Sequence, residues 1–124
     1  MEYSESALKL AQILKDAGAK NIEILDVTKK TEQIKYIIIS SCQSEEKVRG
    51  VSAYVMENAS EFTLLHKDGI TKAQWVVLDY KDYLVEIFTE PLREKYNLEK
   101  LWKDGKNKLK LEPEKTKPSK KKIK

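Results

Sequence analysis

The chain is predicted to fold as one α/β domain of the α+β kind, a mixed five-stranded sheet covered by helices, and three features of its sequence carry that expectation. Apolar residues recur at three- and four-residue spacing over segments 4–17 and 44–59, the mark of helices with one buried face. Around them lie short runs rich in β-branched and aromatic residues, each too short for a stable helix. After Trp102 apolar residues give way to lysine, which places the folded domain within residues 1–111 and leaves 112–124 as a disordered lysine-rich tail.

In chain order, Ala7, Leu8, Ala11, Leu14 and Ala17 define the buried face of the first helix, with Ser4 or Ser6 to cap it and Gly18 to end it. Ile22 to Val27 is the first strand, 28–35 a polar loop, and Tyr36 to Ile39 a strand apolar enough to be covered on both faces. Ser44 caps a second helix whose first turn carries Glu45 and Glu46, where the helix dipole favours them, and whose buried stripe is Val48, Val51, Ser52, Val55, Met56 and Ala59.

Phe62 to Leu65 is expected as an edge strand, closed by a turn at Lys67-Asp68-Gly69. Ala73 to Asp79 and Tyr83 to Phe88 are separated by only three residues, which makes them an antiparallel hairpin. Thr89 then opens a third helix, in whose first turn Pro91 is tolerated, and Leu98, Leu101 and Trp102 form an apolar stripe around its end. Leu109 to Leu111 is a candidate for a further short edge strand. Leftover apolar surface on one poorly covered sheet face would favour a homodimer.

Composition narrows the function classes. The single cysteine, Cys42, lies in an apolar run and suits a reduced, cytoplasmic setting, and with one histidine in the chain a structural zinc site lacks ligands. The opening residues Met1 to Glu5 lead into no apolar stretch, so neither a signal peptide nor a membrane span is expected. The net charge of +4 is an average of unlike parts: residues 103–124 hold ten lysines against Asp104, Glu112 and Glu114, a balance of +7, so residues 1–102 carry −3. The basicity belongs to the tail, not to the fold.

Catalytic patterns are lacking. The four glycines are isolated, so no phosphate-cradling loop can form, and His66 is the only histidine available as a base. Asp26, Asp79, Asp82 and Glu86 are the only acids that could gather a metal, and no tight pair falls on one strand. No enzyme activity, metal or cofactor is expected, with a minimal magnesium-dependent nucleotidyltransferase using Asp26, Asp79 or Glu86 as the remote alternative. Trp75 and Tyr80, which flank the hairpin, are the expected interface anchors, because large amphipathic rings contribute most where binding desolvates them.

Specific residues then carry a resemblance. Ile22 to Val27 (IEILDV), Tyr36 to Ile39 (YIII) with Ser44 opening the next helix, Trp75 to Tyr80 (WVVLDY) and Arg93 to Trp102 (REKYNLEKLW) together resemble the ribosomal silencing factor family, also called RsfS or Iojap-related proteins. The likeness spans about residues 4–102 in order. It implies a nucleotidyltransferase-like fold without catalytic residues. It further implies binding to the large ribosomal subunit at a protein on its intersubunit face, steric hindrance of small-subunit joining, repression of translation, and a homodimer when free.

Carried over residue by residue, the resemblance points to Trp75, Asp79 and Tyr80 for partner binding, and to Arg93, Tyr96, Leu98, Leu101 and Trp102 for support of the fold or a dimer. The chain departs from the family pattern at Lys35-Tyr36, Ser41-Cys42-Gln43-Ser44, Asp68-Gly69 and Glu86, and Lys35 and Glu86 are expected on exposed positions. The tail lies beyond the resemblance. Its lysines suit weak ribosomal RNA contact, or a general RNA-binding accessory role as the alternative to subunit blocking.

Overall fold

A computed structural model describes residues 5–96 and 108–109. Helix α1 (Glu5–Ala17) is followed by strands β1 (Lys20–Asp26) and β2 (Tyr36–Cys42), helix α2 (Glu45–Asn58), strands β3 (His66–Asp68), β4 (Trp75–Asp79) and β5 (Tyr83–Thr89), helix α3 (Glu90–Tyr96) and a two-residue strand β6 (Lys108–Leu109). The strands form one mixed sheet in the order β3-β4-β5-β2-β1-β6. Within it β2 and β5 are parallel and the other neighbours antiparallel. Four of the five expected strands are present, His66–Asp68 stands in place of the fifth, and β6 pairs Lys108 with Leu25 and Leu109 with Ile24 at the β1 edge.

The sheet separates two apolar layers. On one face α1 and α2 contribute Leu10, Leu14, Val48, Val51 and Val55, packed with Ile24, Ile38, Val76, Leu78, Val85 and Ile87 from the strands. On the other, Leu25, Val27, Ile37, Ile39 and Phe88 form a second cluster against which Leu92 of α3 packs. This explains the continuous apolar run of β2: alternate residues feed alternate layers, and a strand in the middle of the sheet has no wet side. The second face is not left open as expected, since those five residues are at most 2% exposed.

Local chemistry sets the element boundaries. Gly18, at φ +100°, ends α1 by donating to the Lys15 carbonyl while Ala19 donates to that of Leu14, the paired bonds of a Schellman cap. The Ser44 hydroxyl accepts from the Lys47 amide at 3.1 Å and starts α2. The β1–β2 register slips between Lys20 and Glu23, a bulge at which Asn21 takes φ +54°.

The edge strand is displaced from its expected position. Phe62, expected in a strand, packs its ring edge-on to Tyr80 and Tyr83 at about 6 Å, and its amide bonds back to Ala59 at the end of α2. Pairing with β4 is made instead by His66, Lys67 and Asp68, all exposed. A polar, three-residue edge of this kind discourages other chains from adding to the sheet. The expected strand from Ala73 begins at Trp75, because Ala73 takes φ +57° in a turn closed by its amide on the Gly69 carbonyl at 2.8 Å. The expectations for the Tyr96 side chain, Leu98, Leu101, Trp102 and the tail lie outside the described residues.

Candidate partner-binding surface

Trp75 opens β4 and pairs across the hairpin with Phe88, on which its ring lies stacked with centroids 5.1 Å apart and planes 20° from parallel. Phe88 is buried and Trp75 is 37% exposed, so the indole is the outermost layer of the second apolar cluster, fixed from below and open above. A rigid, half-desolvated ring loses little entropy when a partner covers it, which is what an interface anchor requires.

The surroundings hold Trp75 in place. Gly69, at φ +81°, lies so close to the Trp75 carbonyl that a Cβ there would fall 2.0 Å from the oxygen. The turn after Gly69 is pinned to α2 by Arg49, whose guanidinium donates to the Thr71 carbonyl at 2.8 Å, and by Gln74, whose amide donates to Glu45 at 2.8 Å. Two shallow depressions flank the ring's end of the sheet. One, of about 490 Å³, runs between the 68–72 turn, Trp75 and Leu92. Its neighbour, of about 480 Å³, runs from Ser44 and Glu45 to Pro91 and Lys95, and both share Gln74 and Leu92. Of the loop and α3, the sequence singled out the Asp68-Gly69 turn and, for support of the fold or a dimer, Arg93 and Tyr96, but not Thr71, Lys72 or Gln74.

The other expected contact residues separate. Asp79 lies on the same sheet face as Trp75 but at the far end of β4, about 13 Å along the strand. Its carboxylate accepts from the Lys81 amide at 2.8 Å and thereby shapes the β4–β5 turn, in which Lys81 takes φ +78°. Tyr80 is corrected from an exposed anchor to a core residue: it is 4% exposed, packs on Phe62, and its phenol oxygen has no hydrogen-bond partner. Burial also pushes that phenol's pKa up. Glu86 is likewise buried at 8% exposed, between Val77 and Ile39 in the cross-strand row, contrary to the exposed position expected for it. Lys35 is exposed as expected and sits 3.8 Å from Asp82.

Arg93 supports the fold. Its guanidinium donates to the Asn21 carbonyl at 2.6 Å and to the Ser41 hydroxyl at 3.3 Å, and stands 3.9 Å from the Glu23 carboxylate. The bulge in β1 turns that carbonyl toward α3, so one side chain ties the helix carrying Leu92 to two strands.

The acids do not assemble a metal site. Asp26 belongs to the row of Tyr36 and Tyr83 on the α1–α2 face and binds the Thr28 amide and hydroxyl, whereas Asp79 and Glu86 project from the opposite face. Among the described residues no three His, Cys, Asp or Glu side chains converge. Cys42 is buried, and desolvation, opposed by Lys47 and assisted by Glu90, raises its pKa. Among the described residues no helix is long and apolar enough to cross a membrane.

The family model described as "Ribosomal silencing factor during starvation" matches residues 1–124. The chain belongs to that ribosomal silencing factor family. It is 32% identical over 104 residues to the ribosomal silencing factor RsfS of Bacillus subtilis, covering 82% of this chain and 88% of that protein. Against the RsfS of Treponema pallidum it is 29% identical over 108 residues, covering 84% and 96%. Among solved structures it is similar to a Chromobacterium violaceum protein, with a TM-score of 0.76 at 25% identity over 82% of this chain and 87% of the other. Over the 82% of this chain that the Chromobacterium violaceum structure covers, this silencing factor family member shares its fold.

Proposed function

We propose that this chain binds the large ribosomal subunit at a ribosomal protein on the intersubunit face and represses translation by occupying space that the small subunit needs. Family membership supports a ribosomal role, and the observation that carries the site is Trp75, stacked on the core yet 37% exposed beside two depressions. The mechanism needs no chemistry. An interface of about 1,600 Å² suffices to hold a small domain firmly, and a domain so held excludes any second partner from the same volume. The factor works in the cytoplasm, where subunits join, and forms a homodimer when no subunit is present.

The test is light scattering during reassociation of purified subunits, with wild type and Trp75→Ala at matched concentrations. The wild-type chain is expected to suppress reassociation. Loss of a central aromatic anchor costs on the order of 2–4 kcal/mol, so Trp75→Ala should need roughly 30 to 1,000 times more protein for the same effect. Equal inhibition by a folded Trp75→Ala would remove this face from the mechanism, and failure of the wild type would remove the mechanism.

A further inference from the structure

We propose that the sheet face beside Trp75 receives an arginine of the partner protein. The aliphatic stem of that arginine crosses Val77, its guanidinium enters between the carboxylates of Asp68 and Asp79, and an apolar side chain next to it in the partner covers Trp75. The identity of the partner rests on the ribosome-binding reading above, whereas the chemistry of the site is open to test without a ribosome.

Register builds the site. Trp75, Val77 and Asp79 are alternate residues of β4 and share the face of Phe88, while Val76 and Leu78 belong to the layer under α1 and α2. On that face Asp68 of β3 stands directly opposite Val77, Glu86 of β5 borders Val77 on its other side, and His66 stands opposite Asp79. Val77 is half-buried and belongs to neither apolar cluster. It forms an apolar floor with Trp75 about 7 Å away along the strand, Asp79 about as far in the other direction, and a carboxyl side chain about 5 Å off on each neighbouring strand. Asp68 and Asp79 are diagonal neighbours, about 7–8 Å apart.

The two outer carboxylates are fixed in advance and only partly used. Asp68 accepts from the Gly69 amide at 2.9 Å and Asp79 from the Lys81 amide at 2.8 Å, and the second oxygen of each has no hydrogen-bond partner among the described residues. Side chains already held by a turn lose little freedom when a ligand arrives. Within β3, β4 and β5 the one basic side chain on this face is His66, and Lys72 stands on the wall of the depression beside Trp75. Three carboxyl groups around an apolar floor repel phosphate, and among the described residues no third donor converges to complete a metal site. A guanidinium meets both needs of the site: its planar fork can donate to two carboxylates and stack beside an indole, and its stem covers an apolar floor. The depression of about 490 Å³ next to it, with Ile70, Trp75 and Leu92 in its wall, accommodates the adjoining apolar side chain.

The test is two-dimensional amide NMR of the isotope-labelled full chain, titrated with the peptide acetyl-Leu-Arg-Leu-amide and with its citrulline counterpart, which keeps the shape and lacks the charge. The arginine peptide should shift the Trp75 indole N–H and the amides of Asp68, Val77 and Asp79, and should saturate at a concentration about tenfold lower than the citrulline peptide. In the double variant Asp68→Asn with Asp79→Asn the side-chain oxygens still accept from the turn amides, so Tm should stay within about 2 °C while the preference for arginine disappears. The same variant should bind purified large subunits about tenfold more weakly and with a shallower salt dependence. The proposal is overturned if both peptides bind equally, if the shifts fall elsewhere, if the double variant keeps the preference, or if the same resonances move with protein concentration alone, which would make the occupant a second copy of the chain. An arginine preference together with a Trp75→Ala variant that still blocks reassociation would remove the ribosomal reading and keep this site. Equal binding of the two peptides together with a block that depends on Trp75 would do the reverse.

Discussion

Replacing Arg93 by alanine tests whether α3, and with it the Leu92 wall of the candidate site, is held by one polar clamp. The arginine side chain is 11% exposed and its Glu23 partner 16% exposed, so water can replace the lost contacts only in part. A hydrogen bond from a charged donor contributes about 1.5–3 kcal/mol, and the 2.6 Å contact to the Asn21 carbonyl is the shortest of those lost, ahead of the 3.3 Å contact to the Ser41 hydroxyl. The ion pair at 3.9 Å adds less.

Arg93→Ala is therefore expected to cost about 2–3 kcal/mol, or on the order of 10 °C in Tm for a domain of this size. Arg93→Met, which keeps the apolar stem, should recover a few tenths of that. Urea denaturation followed by tryptophan fluorescence gives the numbers, and a cycle with Glu23→Gln should yield a coupling of about 0.5–1.5 kcal/mol. If Arg93→Ala stayed within about 0.5 kcal/mol of wild type, α3 would be held by apolar packing alone and the clamp would have no energetic weight.

Gly69→Ala should destabilise by at least about 2 kcal/mol, since a side chain at φ +81° is strained and its Cβ would collide with the Trp75 carbonyl; a melt unchanged within 2 °C would refute the close approach. Tyr80→Phe removes a buried hydroxyl that lacks a partner, so at pH 7 it should be neutral or stabilising by on the order of 1 kcal/mol, and a clear loss would mean that an ordered water satisfies the phenol. The same variant should lose less stability at high pH. A phenol whose folded pKa lies above the unfolded value of about 10 stays protonated in the folded state after the unfolded chain has begun to ionise, so stability is intact below about pH 10 and declines above it. Urea midpoints at pH 7 and 10.5 for both proteins check the sign.

Helices and central strands were legible because their signals are local. α1 and α2 show helical spacing, a glycine stop and a serine cap, and β2 is apolar on both sides because it has two layers to feed. Leu10 and Ile13 of α1 were the omissions on that buried face. Legibility failed where tertiary pairing outweighs local preference. The Phe62–Leu65 run has the composition of a strand, but Phe62 gains more against Tyr80 and Tyr83, and the edge passes to three exposed polar residues with no periodicity to detect. Tyr80 and Glu86 failed for a related reason: their chemistry suggested the surface, and only tertiary structure encloses them, Glu86 between Val77 and Ile39 in the sheet and Tyr80 against the ring of Phe62.

The candidate site is continuous with the packing beneath it. Trp75, Phe88 and Leu92 link solvent to the second apolar cluster, so the exposed ring is the outer end of the core instead of an appendage to it. Binding strength then depends on the same contacts that fix the fold around it: Gly69 sets the approach of the turn, Arg49 and Gln74 tie that turn to α2, and Arg93 ties α3 to β1 and β2. Substitutions at these four residues should weaken subunit binding in proportion to the disorder they introduce at Trp75. Stability measured beside affinity at each position separates a loss of fold from a loss of contact: a variant that weakened binding at unchanged stability would act on the ring's surface alone.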